Sequence, residues 1–385
     1  MSGASPIFIV AGEPSGDVLG GRLMAALSEL TAGEVRFAGV GGEAMQGQGL
    51  ESLFPMEELS VMGLAEILPH LPRLLGRIRQ TAAAADAAGP RALITIDSPD
   101  FSRRVARRVR DRSIPRIHYV APTVWAWRPG RAQGFARDFS HLLALLPFEP
   151  PWFERAGLSC TFVGHPVVES GADRGDGAGF RSRHGIAPDC PLICVLPGSR
   201  RGEVSRLAAD FGKALEMLQR RYPELRVAVP TVPGVAAMVE QFAAGWPGSP
   251  RVVRGQAEKY DAMAASNAAL AASGTVALEL SLARVPTVIA YRVAPLTHFI
   301  VRRMLSVDYG NLVNIIEDRE IVPELIQDDC RPERLAHELE QLLGPAGPAQ
   351  VEACQPALRQ LGLGGERPSR RAAQAVLDII GDDGT

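Results

Sequence analysis

The chain has 385 residues, which is too long for one typical hydrophobic core and predicts two domains. An apolar fraction of 46%, a charged fraction of 22% and a net charge of −2 are typical of a soluble globular protein and exclude a global basic field for nucleic acid. Five cysteines at irregular spacing, none in a CxxC pair, predict a reducing compartment without disulfide framework or metal site. We expect no signal peptide, because no cationic region precedes the first apolar run, and no transmembrane helix, because no stretch reaches the ~20 apolar residues required.

The first predicted element is a short apolar strand at residues 6–11, followed by a glycine-containing turn and a helix. This turn carries acidic and hydroxyl side chains rather than arginines. We therefore expect it to bind the hydroxyl groups of a sugar, through Glu13, Ser15 and Asp17, and not a phosphate. A capping role for Ser15 or Asp17 on the following helix is an equally good interpretation.

Residues 57–79 depart from the strand–helix pattern. The stretch is strongly apolar, contains two prolines and ends in several arginines, which suits a membrane interface or acyl chains. Its periodicity fits a helix packed on the sheet at least as well. The side chains expected to contact membrane or acyl chains are Val61, Met62, Leu64, Leu68, Leu71 and Leu75.

Alternating strands and helices over residues 91–163 predict a parallel sheet, in which ligands bind at the carboxyl ends of the strands. Asp97 and Asp100 follow one such strand. Asp97 is the better candidate for a general base, whereas Asp100 also suits a helix N-cap. Trp127 lies on a further loop, where it could stack on a sugar or serve as a packing anchor.

A polar, glycine-rich stretch at residues 169–179 predicts a linker to a second series of strands and helices. This series opens on Leu192-Ile-Cys-Val-Leu-Pro-Gly-Ser-Arg-Arg-Gly-Glu203. A strand that ends in a glycine turn before a helix aims backbone N–H groups and the helix dipole at one point. Because guanidinium binds phosphate bidentately, Ser199, Arg200 and Arg201 predict a diphosphate site; the alternative is an ordinary turn with solvated arginines.

The same grouping of strand, glycine turn and helix recurs at residues 271–279. We expect Ser273, Gly274 and Thr275 to bind phosphate together with backbone N–H groups. Glu279 lies one helical turn further on and suits the two hydroxyls of a ribose. The two turns together predict a nucleoside diphosphate pocket.

These patterns predict an α/β protein with two Rossmann-like lobes facing a cleft, the GT-B type of glycosyltransferase. Residues 1–168 are predicted to form a lobe that faces the acceptor and the membrane, and residues 169–345 a lobe that binds a nucleotide-sugar donor. Residues 346–385 are predicted to form a helical tail that packs back on the N-terminal lobe. Near the end of the second lobe, Asn314 could reach a ligand or only cap a turn.

Motifs between residues 11 and 279 resemble, in order, those of the lipid-A-disaccharide synthase family. They are Ala11-Gly-Glu-Pro-Ser-Gly-Asp17, Met56-Glu-Glu-Leu-Ser-Val-Met-Gly63, Ile96-Asp-Ser-Pro-Asp-Phe101, His118-Tyr-Val-Ala-Pro-Thr-Val-Trp-Ala-Trp-Arg128, Leu146-Pro-Phe-Glu149, Val163-Gly-His-Pro166, Leu196-Pro-Gly-Ser-Arg200 and Ala272-Ser-Gly-Thr-Val-Ala-Leu-Glu279.

The resemblance implies a cytoplasmic glycosyltransferase that is peripherally associated with the inner face of the inner membrane of a Gram-negative-type bacterium. Such an enzyme joins UDP-2,3-diacylglucosamine to 2,3-diacylglucosamine 1-phosphate (lipid X). It releases UDP and a β-1,6-linked disaccharide of lipid A biosynthesis, and it needs no metal or other cofactor. The oligomeric state stays open, with a homodimer among the alternatives.

The resemblance also carries residue roles onto this sequence. The family's functionally important aspartate falls on Asp97, its arginine on Arg200 and its late asparagine on Asn314. Its acidic N-terminal loop falls on the turn already expected to bind a sugar. Arg201 adds a charge beside Arg200, so it stays open which guanidinium holds the diphosphate.

The resulting hypothesis is an inverting transfer. The acceptor's 6-hydroxyl attacks the anomeric carbon of the donor, Asp97 takes its proton, and Arg200 with the loop N–H groups stabilises the departing UDP. Two alternatives are a UDP-sugar epimerase on the same fold and a catalytically silent regulator that binds nucleotide sugars.

Overall fold

The structure is a computed structural model that describes residues 5–59, 64–127, 130–272, 274–293 and 307–382, and the side chains of residues 64–70 and 382 also lie outside this description. The chain divides into two compact units. The first comprises Met1–Pro166 and Gly364–Thr385, and the second comprises Val167–Leu363. The boundary predicted from sequence, between residues 168 and 169, lies close to this division.

The first unit is organised around one parallel sheet. Its strands are β1 (Ile7–Ala11), β2 (Phe37–Val40), β3 (Ala92–Ile96), β4 (Arg116–Tyr119), β5 (His141–Ala144) and β6 (Ser159–Phe162). Over the described residues they pair in the order β2-β1-β3-β4-β5-β6, and each neighbouring pair is parallel. β1 and β3 are buried along their whole length, as expected for central strands covered on both faces.

Helices cover both faces of this sheet. They are α1 (Pro14–Leu30), α2 (Glu43–Gln46), α3 (Leu64–Ala88), α4 (Pro99–Arg108), α5 (Arg131–Asp138) and α6 (Pro150–Glu154). Successive strand residues point to opposite faces, so Ile9 packs in the same cluster as Leu23 of α1. On the other face, Phe8 packs in the cluster that contains Val105 of α4 and Phe135 of α5.

The second unit repeats this architecture with a different strand order. Its strands are β7 (Leu192–Leu196), β8 (Arg226–Thr231), β9 (Arg251–Arg254), β10 (Ala268–Ala272), β11 (Thr287–Tyr291) and β12 (Glu324–Ile326). In the part of the unit that the structure describes, they pair in parallel in the order β12-β11-β10-β7-β8-β9. The accompanying helices are α7 (Gly177–Arg183), α8 (Arg201–Arg221), α9 (Ala236–Ala243), α10 (Gln256–Ala265), α11 (Val276–Leu282), α12 (Leu312–Glu317), α13 (Pro332–Leu343) and α14 (Ala346–Gln360).

The C-terminal residues divide between the two units. α14 packs against α11, α12 and α13 of the second unit, whereas the last helix, α15 (Pro368–Asp382), packs along α1 of the first. Arg367 and Arg370 each lie 2.8 Å from the carboxylate of Glu29 on α1. The prediction that all of residues 346–385 pack on the N-terminal lobe is therefore wrong for α14, because this helix packs against helices of the second unit.

Among the described helices, none combines the length and the apolar character needed to cross a bilayer.

Candidate active site

Each sheet contains one point at which the winding of the chain reverses direction. In the first sheet it lies between β1 and β3, because β2 lies on the far side of β1. In the second it lies between β7 and β10, because β8 and β9 lie on one side and β11 and β12 on the other. In open α/β sheets, ligands bind outside the carboxyl ends of the strands at such a point. The turns that follow these four strands carry most of the predicted site residues.

Asp97 lies in a strained turn directly after β3. Its φ is +54° and that of Ser98 is +42°, so two consecutive residues other than glycine adopt the left-handed conformation. Val120, which follows the neighbouring strand β4, has a φ of +83°, a value that is rare for a β-branched residue. Backbone strain of this kind costs free energy and clusters at functional sites.

Hydrogen bonds fix the strained turn. The Asp97 N–H donates to the carbonyl of Tyr119 at 3.0 Å, and Ser102 Oγ donates to the carbonyl of Asp97 at 2.8 Å. The Ser98 N–H donates to Asp97 Oδ1 at 2.8 Å, which sets the direction of the carboxylate. The side chain of Asp97 is half-buried, so it keeps access to a ligand.

The β1 turn brings Glu13 and Ser15 to the same place. Ser15 Oγ donates to Asp97 Oδ2 at 3.4 Å, and Ser98 Oγ donates to Glu13 Oε1 at 3.4 Å. Gly12 permits this approach, because a Cβ there would lie 2.5 Å from Ser98 Oγ. Two carboxylates and two hydroxyls therefore meet at the reversal point of the first sheet, where they can hold sugar hydroxyls and accept a proton.

Asp17, by contrast, is committed to the fold. It is buried, and its carboxylate accepts the N–H groups of Gly42 at 2.7 Å, Ala44 at 2.9 Å and Met45 at 3.1 Å. These bonds tie α1 to the turn between β2 and α2. They favour a structural role for Asp17 over the predicted sugar contact, and the helix that it caps is α2 rather than α1.

Asp100 and Trp127 lie on neighbouring segments of the first unit. The Asp100 side chain, in the first turn of α4, is 81% exposed and lies 3.5 Å from Arg131 Nη2. Trp127 is half-buried, and its Nε1 donates to Thr123 Oγ1 at 3.2 Å. Both stay candidates for contact with a substrate.

Glu149 holds the loop that contains Trp127. It is buried; its Oε1 accepts Trp125 Nε1 at 3.1 Å, and its Oε2 accepts the N–H groups of Leu145 at 3.1 Å and Leu146 at 3.0 Å. Burial raises the pKa of this carboxyl to about 7, against the lowering effect of its N–H donors. Sequence reasoning missed this role, because it depends on a partner on another loop.

In the second unit, the β7 turn encloses a carboxylate of the chain itself. Glu203 Oε2 accepts the N–H groups of Ser199 at 3.0 Å and Arg200 at 3.2 Å, and Glu203 Oε1 accepts Arg200 Nη1 at 3.2 Å. Gly198, with φ +117°, permits this, because a Cβ there would lie 2.7 Å from Glu203 Oε2. The Arg200 side chain is 66% exposed, and the neighbouring Arg201 is exposed as well. The N–H groups predicted to hold a diphosphate thus already converge on one anion.

The β10 turn presents Gly274 and Thr275, both exposed, at the start of α11. Ser273, predicted to bind phosphate, lies outside the described residues. Glu279 lies one turn into α11, where Lys259 Nζ is 2.8 and 3.0 Å from its two oxygens and Tyr260 Oη donates to Oε1 at 2.9 Å. The sequence does not signal Lys259 and Tyr260 as site residues, since they lie on a different helix, α10.

Asn314 makes its hydrogen bonds within the second unit. The side chain is fully buried; its Oδ1 accepts the N–H groups of Ile321 and Val322, and its Nδ2 donates to the carbonyl of Val322 and to Glu324 Oε1, all at 2.7–2.9 Å. These bonds favour a structural role over the predicted substrate contact, because they occupy the donors and the acceptor of the amide.

The predicted membrane segment lies partly in α3. Val61 and Met62 lie outside the described residues, as do the side chains of Leu64 and Leu68. Leu71 is 36% exposed on α3, whereas Leu75 is half-buried and packs against the core of the first unit. The described part of α3 therefore combines an exposed apolar side chain with a face that packs on the core of the first unit, and contact with a membrane or acyl chains stays a prediction.

Comparison with known proteins decides the family. A sequence-family model described as Lipid-A-disaccharide synthetase matches residues 7–376. The lipid-A-disaccharide synthase of Rhodospirillum centenum is 61% identical over 378 residues, which cover 97% of this chain and 94% of that protein. The lipid-A-disaccharide synthase of Paramagnetospirillum magneticum is 55% identical over 380 residues, which cover 97% of each.

The chain belongs to the lipid-A-disaccharide synthase family. It is an enzyme, a glycosyltransferase of lipid A biosynthesis, and the resemblance inferred from the sequence motifs is confirmed.

Solved structures show the same type of fold. The UDP-GlcNAc 2-epimerase of Neisseria meningitidis bound to UDP-GlcNAc matches with a TM-score of 0.63 at 11% identity, covering 98% of this chain and all of that one. MurG of Acinetobacter baumannii matches with a TM-score of 0.56 at 14% identity, covering 98% of this chain and 99% of that one. At such identities the likeness concerns the fold alone, and it confirms the predicted α/β architecture of the GT-B type.

The buried carboxyl of Glu149 gives this synthase-family chain a testable pH dependence. Because the folded-state pKa is raised from 4.5 to about 7, the stability contribution of this group is present below pH 4.5 and is lost as the pH rises to 7. Glu149→Gln does not titrate. We expect its stability relative to wild type to improve by on the order of 3 kcal/mol between pH 4.5 and 7.5, as measured by urea unfolding.

Glu154→Gln, which removes an exposed carboxylate on α6, is the control for the substitution itself. A difference between Glu149→Gln and wild type that stays constant across this pH range would contradict the role of burial.

Proposed function

We propose that the chain transfers the 2,3-diacylglucosamine group of UDP-2,3-diacylglucosamine to the 6-hydroxyl of 2,3-diacylglucosamine 1-phosphate. The products are UDP and the β-1,6-linked disaccharide 1-phosphate. Family membership over nearly the whole chain supports this substrate pair. The observation that carries the chemistry is the strained turn that presents Asp97 beside Glu13 and Ser15, at the reversal point of the first sheet.

Asp97 acts in this proposal as the general base. Its backbone is fixed by Tyr119 and its carboxylate is oriented by the Ser98 N–H, so little reorganisation precedes proton transfer. Glu13 and Ser15 bind sugar hydroxyls of the substrates next to it. Asp100 and Trp127 are proposed as further acceptor contacts, in keeping with the exposure of Asp100 and the partial exposure of Trp127.

The turns after β7 and β10 supply the donor side. We assign the UDP diphosphate to the N–H groups of Ser199 and Arg200, the Arg200 guanidinium, and the β10 turn with Ser273, Gly274 and Thr275. In the structure the Glu203 carboxylate accepts the N–H groups of Ser199 and Arg200. A diphosphate that binds to these N–H groups therefore displaces Glu203. Glu279 accepts from the ribose. Arg200 stabilises the charge that develops on UDP as it departs.

The acylated substrates place the enzyme at a lipid surface. We propose peripheral association with the cytoplasmic face of the inner membrane of a Gram-negative-type bacterium, through residues 61–71. The exposed Leu71 and the exposed Arg73 and Arg79 on α3 support this orientation, since they join an apolar side chain to cations that attract anionic lipid.

The base assignment is tested by Asp97→Asn. Asparagine also tolerates a positive φ, so the turn is preserved while the proton acceptor is removed. We expect the turnover of the two acylated glucosamine substrates to fall about a hundredfold or more, with UDP affinity and unfolding temperature close to wild type. Asp100→Asn is the matched comparison, for which we expect a much smaller loss. Near-normal turnover in Asp97→Asn would assign the base elsewhere.

The diphosphate assignment is tested by Arg200→Ala against Arg201→Ala. We expect Arg200→Ala to weaken UDP binding by roughly tenfold or more, because a charge-assisted bond to phosphate is lost, and Arg201→Ala to weaken it much less. Calorimetric titration with UDP measures both. Unchanged affinity in Arg200→Ala would remove this residue from the donor site, and the reverse ranking would give the role to Arg201.

The membrane assignment is tested by serine at Val61, Met62 and Leu71 together. Loss of apolar burial at the lipid surface should reduce binding to vesicles that contain anionic lipid by about tenfold or more, without unfolding the protein. Ile326→Ser in the second unit is the control, since Ile326 is exposed by the same 36% as Leu71. Vesicle binding equal to wild type would instead support packing of this segment on the protein.

A further inference from the structure

The carboxylate of Glu279 is held by two side chains of α10. Lys259 Nζ bridges both carboxylate oxygens, and Tyr260 Oη donates to Oε1. The two partners also contact each other, with Lys259 Nζ 4.8 Å from the centroid of the Tyr260 ring. All three residues are at least partly buried, so the cluster is shielded from solvent and its geometry is constrained.

The direction of the tyrosine proton is also fixed. Gln256 Nε2 donates to Tyr260 Oη at 3.1 Å, so the hydroxyl uses its own hydrogen toward Glu279. Burial raises the pKa of the Tyr260 phenol, and the negative charge of Glu279 raises it further. The Tyr260 hydroxyl therefore keeps its proton at neutral pH and donates it to Glu279.

Few acceptor positions of the carboxylate remain for a ligand. A carboxylate has about four lone-pair sites, two on each oxygen. Counting the described residues, Oε1 accepts both Lys259 and Tyr260, whereas Oε2 accepts Lys259 alone. One position on Oε2 is left over, which fits one hydroxyl group and not both hydroxyls of a diol.

Lys259 also cancels a charge that would oppose the donor. Glu279 lies four residues after Thr275, and Thr275 belongs to the turn assigned to a diphosphate. An unpaired carboxylate at position 279 repels phosphate. The choice of residue is specific: only two of the chain's 41 basic residues are lysines, at positions 213 and 259. The ammonium group is compact enough to bridge both oxygens within the partly buried cluster.

We propose that Lys259 and Tyr260 are positioning residues for nucleotide recognition, which hold Glu279 so that its Oε2 accepts a single ribose hydroxyl of the donor. The inference rests on the proposed function, because it takes the ligand of these turns to be a UDP-sugar. It narrows that function by making the enzyme sensitive to one hydroxyl of the ribose rather than to both.

The test compares binding of UDP, 2′-deoxy-UDP and 3′-deoxy-UDP to the full-length protein by calorimetric titration. In the wild type we expect one deoxy analogue to bind about tenfold more weakly than UDP, and the other to bind nearly as well as UDP. Tyr260→Phe leaves every charge in place. We call the ratio of the analogue's dissociation constant to that of UDP the penalty. We expect Tyr260→Phe to reduce the penalty of the sensitive analogue at least about threefold, with kcat at saturating donor close to wild type.

Lys259→Met removes both the contact that positions Glu279 and the positive charge, so its comparison with Tyr260→Phe distinguishes the two effects. This substitution should reduce the same difference in affinity between UDP and the sensitive analogue. It should also weaken the binding of UDP and of both analogues equally, because the unpaired Glu279 carboxylate repels the diphosphate, whereas the binding of uridine should not be weakened in this way. Lys213→Met on the exposed side of α8 and Tyr222→Phe are the matched controls, and we expect both to keep the wild-type penalty. Unfolding temperatures identify any variant whose fold is lost. Where Lys259→Met is such a variant, Tyr260→Phe alone decides the positioning role.

The outcomes are distinct. A penalty that is unchanged in folded Tyr260→Phe and Lys259→Met overturns the positioning role while leaving UDP binding intact. Equal, large penalties for both deoxy analogues in the wild type overturn the single-hydroxyl contact. A wild-type protein that binds none of the three nucleotides overturns the proposed function and this inference together.

Discussion

Parallel pairing of β1 with β3 and of β7 with β10 determines where the candidate site residues of each unit come together. At these two positions the chain winds away in opposite directions, so neighbouring strands end side by side without a helix to cover them. The turns that follow must then converge at the edge of the sheet. Asp97 keeps its strained conformation because β3, β4 and α4 are each held by the sheet and the core around it.

Buried polar side chains fix other loops of the two units. Asp17 ties α1 to the β2–α2 turn, Glu149 ties the tryptophan loop to the end of β5, and Asn314 ties α12 to the segment before β12. Each occupies its donors or acceptors with partners from a second segment of chain. Burying such a polar group without hydrogen-bond partners costs free energy. Each of these side chains therefore favours the one arrangement of two chain segments in which its partners are in place.

The sequence predicts the parts of the site that lie in one continuous stretch. Asp97 and Arg200 each follow an apolar run and a turn signal directly, so their place at a strand end can be inferred from local pattern. The roles of Asp17 and Asn314 cannot, since the amides that occupy them lie elsewhere in the chain. The Lys259–Glu279 pair, which joins two helices across 20 residues, likewise leaves no signal in spacing or composition.

The same limit applies to the C-terminal helices. Both α14 and α15 have amphipathic patterns. Such a pattern predicts that a helix has an apolar face, but it does not predict which part of the protein that face packs against. The ion pairs of Arg367 and Arg370 with Glu29 fix α15 on α1. Those pairs span most of the chain, and no local rule connects their members.

In the proposed donor site, the Glu203 carboxylate competes with the UDP diphosphate for the N–H groups of the β7 turn. It is tethered to the helix that it caps, so it returns to the turn whenever that turn is vacant. Any anionic inhibitor aimed at this turn loses part of its intrinsic affinity to the displacement of that side chain. Neutral compounds that donate to Glu203, rather than replace it, avoid that penalty and offer a different starting point for ligand design.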